Sequence, residues 1–146
     1  MMERSGEFNE KVIQVNRVSK KTSGGNRISF SVLVVVGDKK GRVGVGLGKA
    51  LEVPSAVAKA ISFAKKRLIN VPLKGTTIPR DVSIKVGAAK IMLKPAPKGS
   101  GLIAGGPVRA VVELAGITDI SSKVLGSRNK ASNVYATLEA LRSLSS

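Results

Sequence analysis

The side chains here that could do chemistry are lysines and arginines, and the chemistry open to them is neutralisation of an anion. The chain has 146 residues, with 25 Lys and Arg against 9 Asp and Glu, a formal net charge of +16. The cations gather in short polar runs rich in glycine and turn-forming residues. These are Lys20-Lys21-Thr22-Ser23-Gly24-Gly25-Asn26-Arg27, Asp38-Lys39-Lys40, Lys94 to Lys98, and Arg128-Asn129-Lys130. One such run is usually a solvated loop. Recurrence on both halves of so cationic a chain points instead to phosphate contact, where each neutralised phosphate releases counterions. Lys20, Lys21, Arg27, Lys39, Lys40, Arg42, Lys49, Lys98, Arg128 and Lys130 are the candidate phosphate ligands.

Other chemistries lack their residues. Cysteine and histidine are absent, which removes disulfides, Cys/His zinc sites and every Ser-His or Cys-His dyad. No metal site and no cofactor are expected. Glu52, Asp81, Glu113, Asp119 and Glu139 share no motif, and Ser100 lies in Gly-Ser-Gly rather than in a nucleophile elbow. General acid–base work without histidine needs tuned carboxylates or lysines, and no such arrangement is visible, so the chain reads as no enzyme. The segment from Arg42 to Lys49 has Gly44, Gly46 and Gly48 at alternate positions. A phosphate-binding loop needs Gly-x4-Gly-Lys-Ser/Thr, but Val43 stands at the first glycine and Ala50 follows Lys49. The plainer reading is a strand whose glycines let another backbone approach closely, a closeness that a sugar-phosphate chain could also use.

The partner class follows from what else is scarce. No run approaches the ~20 apolar residues of a membrane span. The N-terminus has no apolar secretory segment. Aromatic residues are limited to Phe8, Phe30, Phe63 and Tyr135, and Phe30 and Phe63 lie in apolar runs that suit a core. Single-strand readers need stacking platforms, so the expected mode is backbone and shape contact with structured RNA. A DNA-compacting protein would carry a long basic arm or an intercalating ribbon, and neither is evident.

The elements that must hold these cations read as an α+β chain in two small domains. Residues 1–8 are expected to be disordered, residues 9–75 to form one domain and residues 76–146 the other. In the first, strands are expected over Lys11–Val18, Ile28–Val36 and Arg42–Gly48, with loops at 20–27 and 37–41. A helix follows over Ser55–Ile69, started by Pro54 and buried along Val57, Ile61, Ala64 and Leu68. Pro72, Gly75 and Pro79 mark the boundary. The second domain reads as strands Asp81–Val86 and Lys90–Lys94, a loop from Pro95 to Gly106, and a helix Pro107–Ala115 stopped by Gly116. A strand Ile117–Leu125, a basic loop 126–130 and a helix Ala131–Leu144 complete it. Residues 1–75 carry 15 basic and 5 acidic side chains, and residues 76–146 carry 10 and 4, so the partner should span both. Each half is small for a core of its own, and the two are expected to pack together.

Ordered strings run through the first half: Val15 to Lys20, Gly24-Gly25, Val34 to Asp38, Gly41 to Ala50 and Glu52-Val53-Pro54. Lys94 to Gly101, Leu102 to Gly106, Arg109 to Val111, Gly126-Ser127, Asn129 and Asn133-Val134 continue them through the second. The resemblance these strings carry, from Phe8 to Leu144, is to the bacterial-type ribosomal protein S5 family. It implies a double-stranded-RNA-binding-like β-β-β-α half and a β-β-α-β-α half with a left-handed crossover. General handedness rules alone would give a right-handed one.

The resemblance also implies a role. Such a chain would be a structural constituent of the small ribosomal subunit, in the cytoplasm or in an organelle. It would bind 16S-type rRNA near the head–body junction, adjoin proteins S4 and S8 near the messenger-RNA entry path, and contribute to translational accuracy. Gly24 and Gly25 match the glycines of the family's RNA-facing loop near the spectinomycin site. Where the family commonly has two arginines after them, this chain has Asn26 and Arg27. Arg109 matches a residue near the S4 contact. The sequence stops at Ser146, short of a helical tail that many relatives carry, which implies that the tail's interactions, some of them toward S8, are missing. Two rival readings stand beside this one: an RNA chaperone or RNA-modifying accessory protein off the ribosome, and an enzyme taking a nucleotide at Gly44–Lys49.

Overall fold

A computed structural model describes residues 8–126 and 129–144. These described residues form two four-stranded sheets and three helices. The first sheet has strands β1 (Asn9–Thr22), β2 (Gly25–Gly37), β3 (Arg42–Ala50) and β4 (Ile69–Asn70) in that order, all antiparallel, with helix α1 (Val53–Lys66) between β3 and β4. The second contains β5 (Val82–Val86), β6 (Ala89–Pro95), β7 (Leu102–Ile103) and β8 (Ile120–Leu125) in the order β5-β6-β8-β7. Helix α2 (Gly106–Ala115) crosses between β7 and β8, which pair in parallel, and α3 (Lys130–Ser143) follows β8.

β2 explains why the first sheet is covered on both faces. Val32, Leu33, Val34, Val35 and Val36 are all buried. In a strand successive side chains point to opposite faces, so an unbroken apolar run must be covered on both sides. Val32, Val34 and Val36 meet Ala56, Ala60 and Ala64 of α1. Leu33 and Val35 join a larger core with Val108, Val111 and Val112 of α2, Val134 and Leu141 of α3, and Ile91 and Leu93 of β6. The second sheet therefore has no separate core: the halves close around one.

The glycines of β3 set the stripe on α1. A Cβ at Gly46 would overlap the carbonyl oxygen of Ala60, and one at Gly48 that of Ala56. Only small residues fit opposite, so the helix buries Ala56, Ala60 and Ala64, while Val57 and Ile61, expected at its centre, are half-buried at its flank. The close approach read from the glycine pattern is made by the protein's own helix. The face that a sugar-phosphate chain or a nucleotide would need is occupied.

Other elements depart from the sequence reading. The polar run 20–27 is mostly strand: β1 and β2 pair out to Thr22 and Gly25, leaving only Ser23 and Gly24 in the turn. Paired strands satisfy their own backbone groups, so polar side chains can line both solvated faces of such a hairpin. Helix α1 ends at Lys66, three residues early, and Ile69–Asn70 pairs with Arg42–Val43 instead. The loop 95–106 contains the short strand β7, and β8 starts at Ile120 because Thr118 and Asp119 bend to hydrogen-bond Thr76. Phe63 is no core residue: it is 41% exposed, with the Arg67 guanidinium 4.3 Å above its ring. Phe8, expected in the disordered segment, is half-buried against the α1 core, and the rest of that segment lies outside the described residues. Gly116 ends α2 in the left-handed conformation, as its position suggested.

Gly46→Ala should lower unfolding stability by roughly 2–3 kcal/mol, because the new methyl group meets backbone rather than a side chain that can swing aside. Gly24→Ala, with nothing within 4 Å of the added carbon, should change it by less than about 0.5 kcal/mol. Urea denaturation of both variants measures the difference, and equal effects would contradict the packing described for β3 and α1.

Candidate nucleic-acid interface

The candidate ligands divide between two ends of the first sheet and the loops of the second half. β3 pairs with β2 only as far as Phe30–Ala50. The β1–β2 hairpin continues past that point through Gly25–Ser29, projecting by roughly 17 Å at the usual strand rise. Lys20 pairs with Arg27 and Lys21 with Asn26 near its tip, all exposed, with Gly24 and Gly25 at the turn. Gly25 has φ +123°, a conformation that favours glycine. Lys49 sits at the base of this arm opposite Ser31, and Lys59 of α1 donates to its carbonyl oxygen at 3.3 Å.

At the opposite end, Lys39, Lys40 and Arg42 lie in and beside the β2–β3 turn, and Asp38 holds it. Its buried carboxylate accepts from Lys40 N (2.8 Å) and Arg42 N (3.0 Å) through Oδ1, and from Arg42 Nε (2.8 Å) through Oδ2. Arg42 also stacks over Phe8 at 5.2 Å, so part of its guanidinium serves the fold. Lys39 takes φ 61°, uncommon for a residue with a side chain. Its N–H donates to Leu114 O (2.9 Å), and Gly41 N donates to Ala115 O (2.8 Å). These are carbonyls at the end of α2 that have no partner within the helix. The turn of one half therefore caps the helix of the other and brings Lys39 and Lys40 near its negative dipole end.

A second aspartate organises the loop carrying Lys98. Asp119 is buried and accepts from Gly99 N (3.1 Å), Gly101 N (2.8 Å) and Thr118 Oγ1 (3.4 Å). Thr76 O takes the N–H groups of Thr118 and Asp119, and Thr77 Oγ1 accepts from Ala96 N. Lys98 and Lys74 line one groove between these segments. Arg109, exposed on α2, pairs with Glu113 at 3.7 Å, and Lys11 reaches the same carboxylate at 3.5 Å. Arg109 and Lys130 line a cleft of about 320 Å³ between β1 and the starts of α2 and α3. Lys130, read from sequence as loop, is the first residue of α3, because Asn129 caps that helix by accepting from Ser132 N at 3.2 Å. Arg128 lies outside the described residues.

The sequence reading named Lys94 only as the start of the run to Lys98 and did not single out Lys85, Lys90 or Lys123, with which it forms a group. Lys85, Lys90, Lys94 and Lys123 all stand exposed on the outer face of the second sheet. Their signal was strand alternation: each lysine lies at an outward position between buried or half-buried ones.

Both aspartates titrate low. Burial raises the pKa of Asp38, but the Arg42 hydrogen bond, the Lys40 and Arg42 amides and the Arg42 charge outweigh it, leaving it below its ordinary 3.8. The Thr76 hydroxyl and the Gly101 amide do the same for Asp119, with Gly99 and Thr118 assisting against a smaller cost of burial. A depressed carboxylate contributes stability that is fully present above its unfolded value near 3.8 and lost as pH falls through the lower folded value. The thermal midpoint of the protein should therefore drop on acidification below about pH 4, and Asp119→Ala should flatten that drop. In the same variant, amide hydrogen exchange at Gly99 and Gly101 should accelerate at neutral pH. Unchanged exchange would mean the loop is held by other contacts.

Comparison with known proteins adds an independent line. A family model described as Ribosomal protein S5, N-terminal domain, matches residues 8–72, and one described as Ribosomal protein S5, C-terminal domain, matches residues 84–146. The chain is similar to the small ribosomal subunit protein uS5 of Mycoplasmopsis agalactiae, with 57% identity over 143 residues, which is 97% of this chain and 62% of that relative.

Proposed function

We infer the function from one premise: the chain belongs to the ribosomal protein S5 family. We propose that it is a structural, non-enzymatic constituent of the small ribosomal subunit, working in the cytoplasm. The observation that carries this reading is the division of labour between charges. The two buried aspartates point inward and hold the loops, while the lysines and arginines of those loops and of the β1–β2 arm face outward. A rigid scaffold presenting separated cations suits a large folded RNA, whose phosphates fix a protein's position and orientation.

The finer reading is that the partner is 16S-type rRNA near the head–body junction. Lys20, Lys21, Gly24, Gly25 and Arg27 on the projecting arm would reach one RNA segment. Lys39, Lys40, Arg42 and Lys49 would serve the two ends of the first sheet, and Lys98, Arg128 and Lys130 the second half. Arg109 would face protein S4, protein S8 would adjoin the second half, and the messenger-RNA entry path would lie nearby. Through the S4 contact the protein would contribute to translational accuracy. The nucleotide-binding alternative loses its support, because α1 packs on the glycines it would need.

Sucrose-gradient sedimentation of salt-washed ribosomes should find the protein at one copy per small subunit. An RNA chaperone would instead remain near the top of the gradient. Lys20→Gln, Lys21→Gln and Arg27→Gln together should lower incorporation and reduce the salt slope of rRNA binding by about one unit for each phosphate no longer neutralised. Undiminished incorporation and slope would remove the arm from the interface.

A further inference from the structure

The outer face of the second sheet carries a charge pattern that the free protein does nothing to satisfy. α3 packs on the inner face, where Ile84, Ile91, Leu93, Ile120 and Val124 point. The outer positions are Ser83 and Lys85 on β5, Lys90, Met92 and Lys94 on β6, Ser121, Lys123 and Leu125 on β8, and the exposed Ile103 on β7 beside Ser121. None is acidic, and among the described residues none of the four lysines makes an ion pair. Lys85 and Lys90 stand directly opposite each other across the strand pair. Like charges in that position destabilise a sheet. Lys123, opposite Met92, is diagonal to both Lys90 and Lys94, at a typical separation of roughly 7–8 Å. Proteins break such local rules chiefly at functional or strained sites.

We propose that this face is a second RNA-contacting surface, a phosphodiester-binding platform distinct from the hairpin arm and the aspartate-held loops. The proposal rests on the ribosomal reading above. Four lysines spread over three strands suit a run of phosphates better than one carboxylate. Ser83 and Ser121 add hydroxyl donors, which commonly serve phosphate oxygens. Two shallow depressions meet at Leu125 and follow the lysines across the sheet. A protein partner fits poorly, because lysine is depleted and aromatic anchors are enriched in protein interfaces, and this face carries no aromatic residue. The twisted sheet reads no bases in this arrangement: its groups recognise backbone geometry. Bound RNA would place anions between Lys85 and Lys90 and relieve their repulsion, so free and bound states should respond oppositely to a change of sign at this pair.

The test uses the full chain and purified small-subunit rRNA, with binding measured over a range of salt. Lys85→Gln, Lys90→Gln, Lys94→Gln and Lys123→Gln together should make the slope of log affinity against log salt shallower by about three units, with an unchanged circular dichroism spectrum. Lys90→Glu should raise the thermal midpoint of the free protein and weaken RNA binding, a pairing of effects that a merely structural lysine would not give. If the wild-type chain and the arm variants bind as expected and the quadruple variant keeps the wild-type slope, the platform is wrong and the ribosomal reading stands. If the quadruple variant keeps that slope but drops out of small subunits, the face contacts a protein and the proposal is likewise overturned. If the wild-type chain ignores the RNA, the ribosomal reading fails and this inference with it.

Discussion

Five consecutive residues of β2, Val32 to Val36, have no side that faces water, and most of the architecture follows from covering them. One face takes α1, which can lie close only because Gly44, Gly46 and Gly48 on the neighbouring strand meet Ala56, Ala60 and Ala64. The other face takes α2 and α3, which in turn cover the inner side of the second sheet. At up to roughly 1.5–3 kcal/mol for each fully buried valine or leucine, this strand is among the largest local contributors to the fold. Its consequence for function is geometric. Two halves that read as separate domains share one core, so cations on either half keep fixed distances from each other.

Local polar contacts refine that rigidity where the charges sit. Asp38 and Asp119 each accept two backbone N–H groups of a loop that carries lysine. Among the described residues, neither carboxylate makes a direct ion pair with a lysine of its loop, although Asp38 also holds Arg42. The chain thus commits two of its few acids to backbone and leaves its lysines outward. The clamp between the β2–β3 turn and the end of α2 works similarly. Carbonyls of Leu114 and Ala115 take N–H groups of Lys39 and Gly41, which fixes the strained backbone of Lys39 and the direction in which its neighbours project.

How much of this could be read in advance depends on the range of the interaction. The unbroken apolar run of β2, the turn at 37–41, Pro54 at the start of α1 and Gly116 at the end of α2 are local signals, and each marks the element it suggested. Ile69–Asn70 and Leu102–Ile103 are too short to show periodicity, and they are strands only because β3 and β8 offer edges to pair with. The helix stripe went astray for a related reason. Val57 and Ile61 look like core on a helical wheel, but the alanines face the glycine strand, and only tertiary closeness selects them. At the candidate interface, cationic loops were legible because lysine and glycine cluster there. Lys85, Lys90 and Lys123 of the second sheet were not, because they lie on three different strands and gather only when those strands pair. Asp119 looked like a scattered acid for the same reason: its partners Thr76, Gly99 and Gly101 come from two separate segments.

The remaining question is why a stable scaffold tolerates so much positive charge. Ion pairing within the protein does not dispose of it. Glu113 is shared by Lys11 and Arg109, Glu139 pairs with Arg142 on the surface, and Asp38 takes Arg42. The exposed pairs of Glu113 and Glu139 contribute about 0–1 kcal/mol at best, and even with the part-buried Asp38–Arg42 pair the ion pairs among the described residues leave most of the +16 charge unpaired. The core can bear that load because repulsion among charges spread over two sheet ends, a projecting arm and an open sheet face is screened within about 8–10 Å in physiological salt. The cost is then a standing one that an anionic partner removes on binding, so affinity and stability are linked: whatever neutralises the folded protein and not the unfolded chain also stabilises the fold. A polyanion of fixed shape does this better than mobile counterions, since it meets cations whose spacing the shared core has already set.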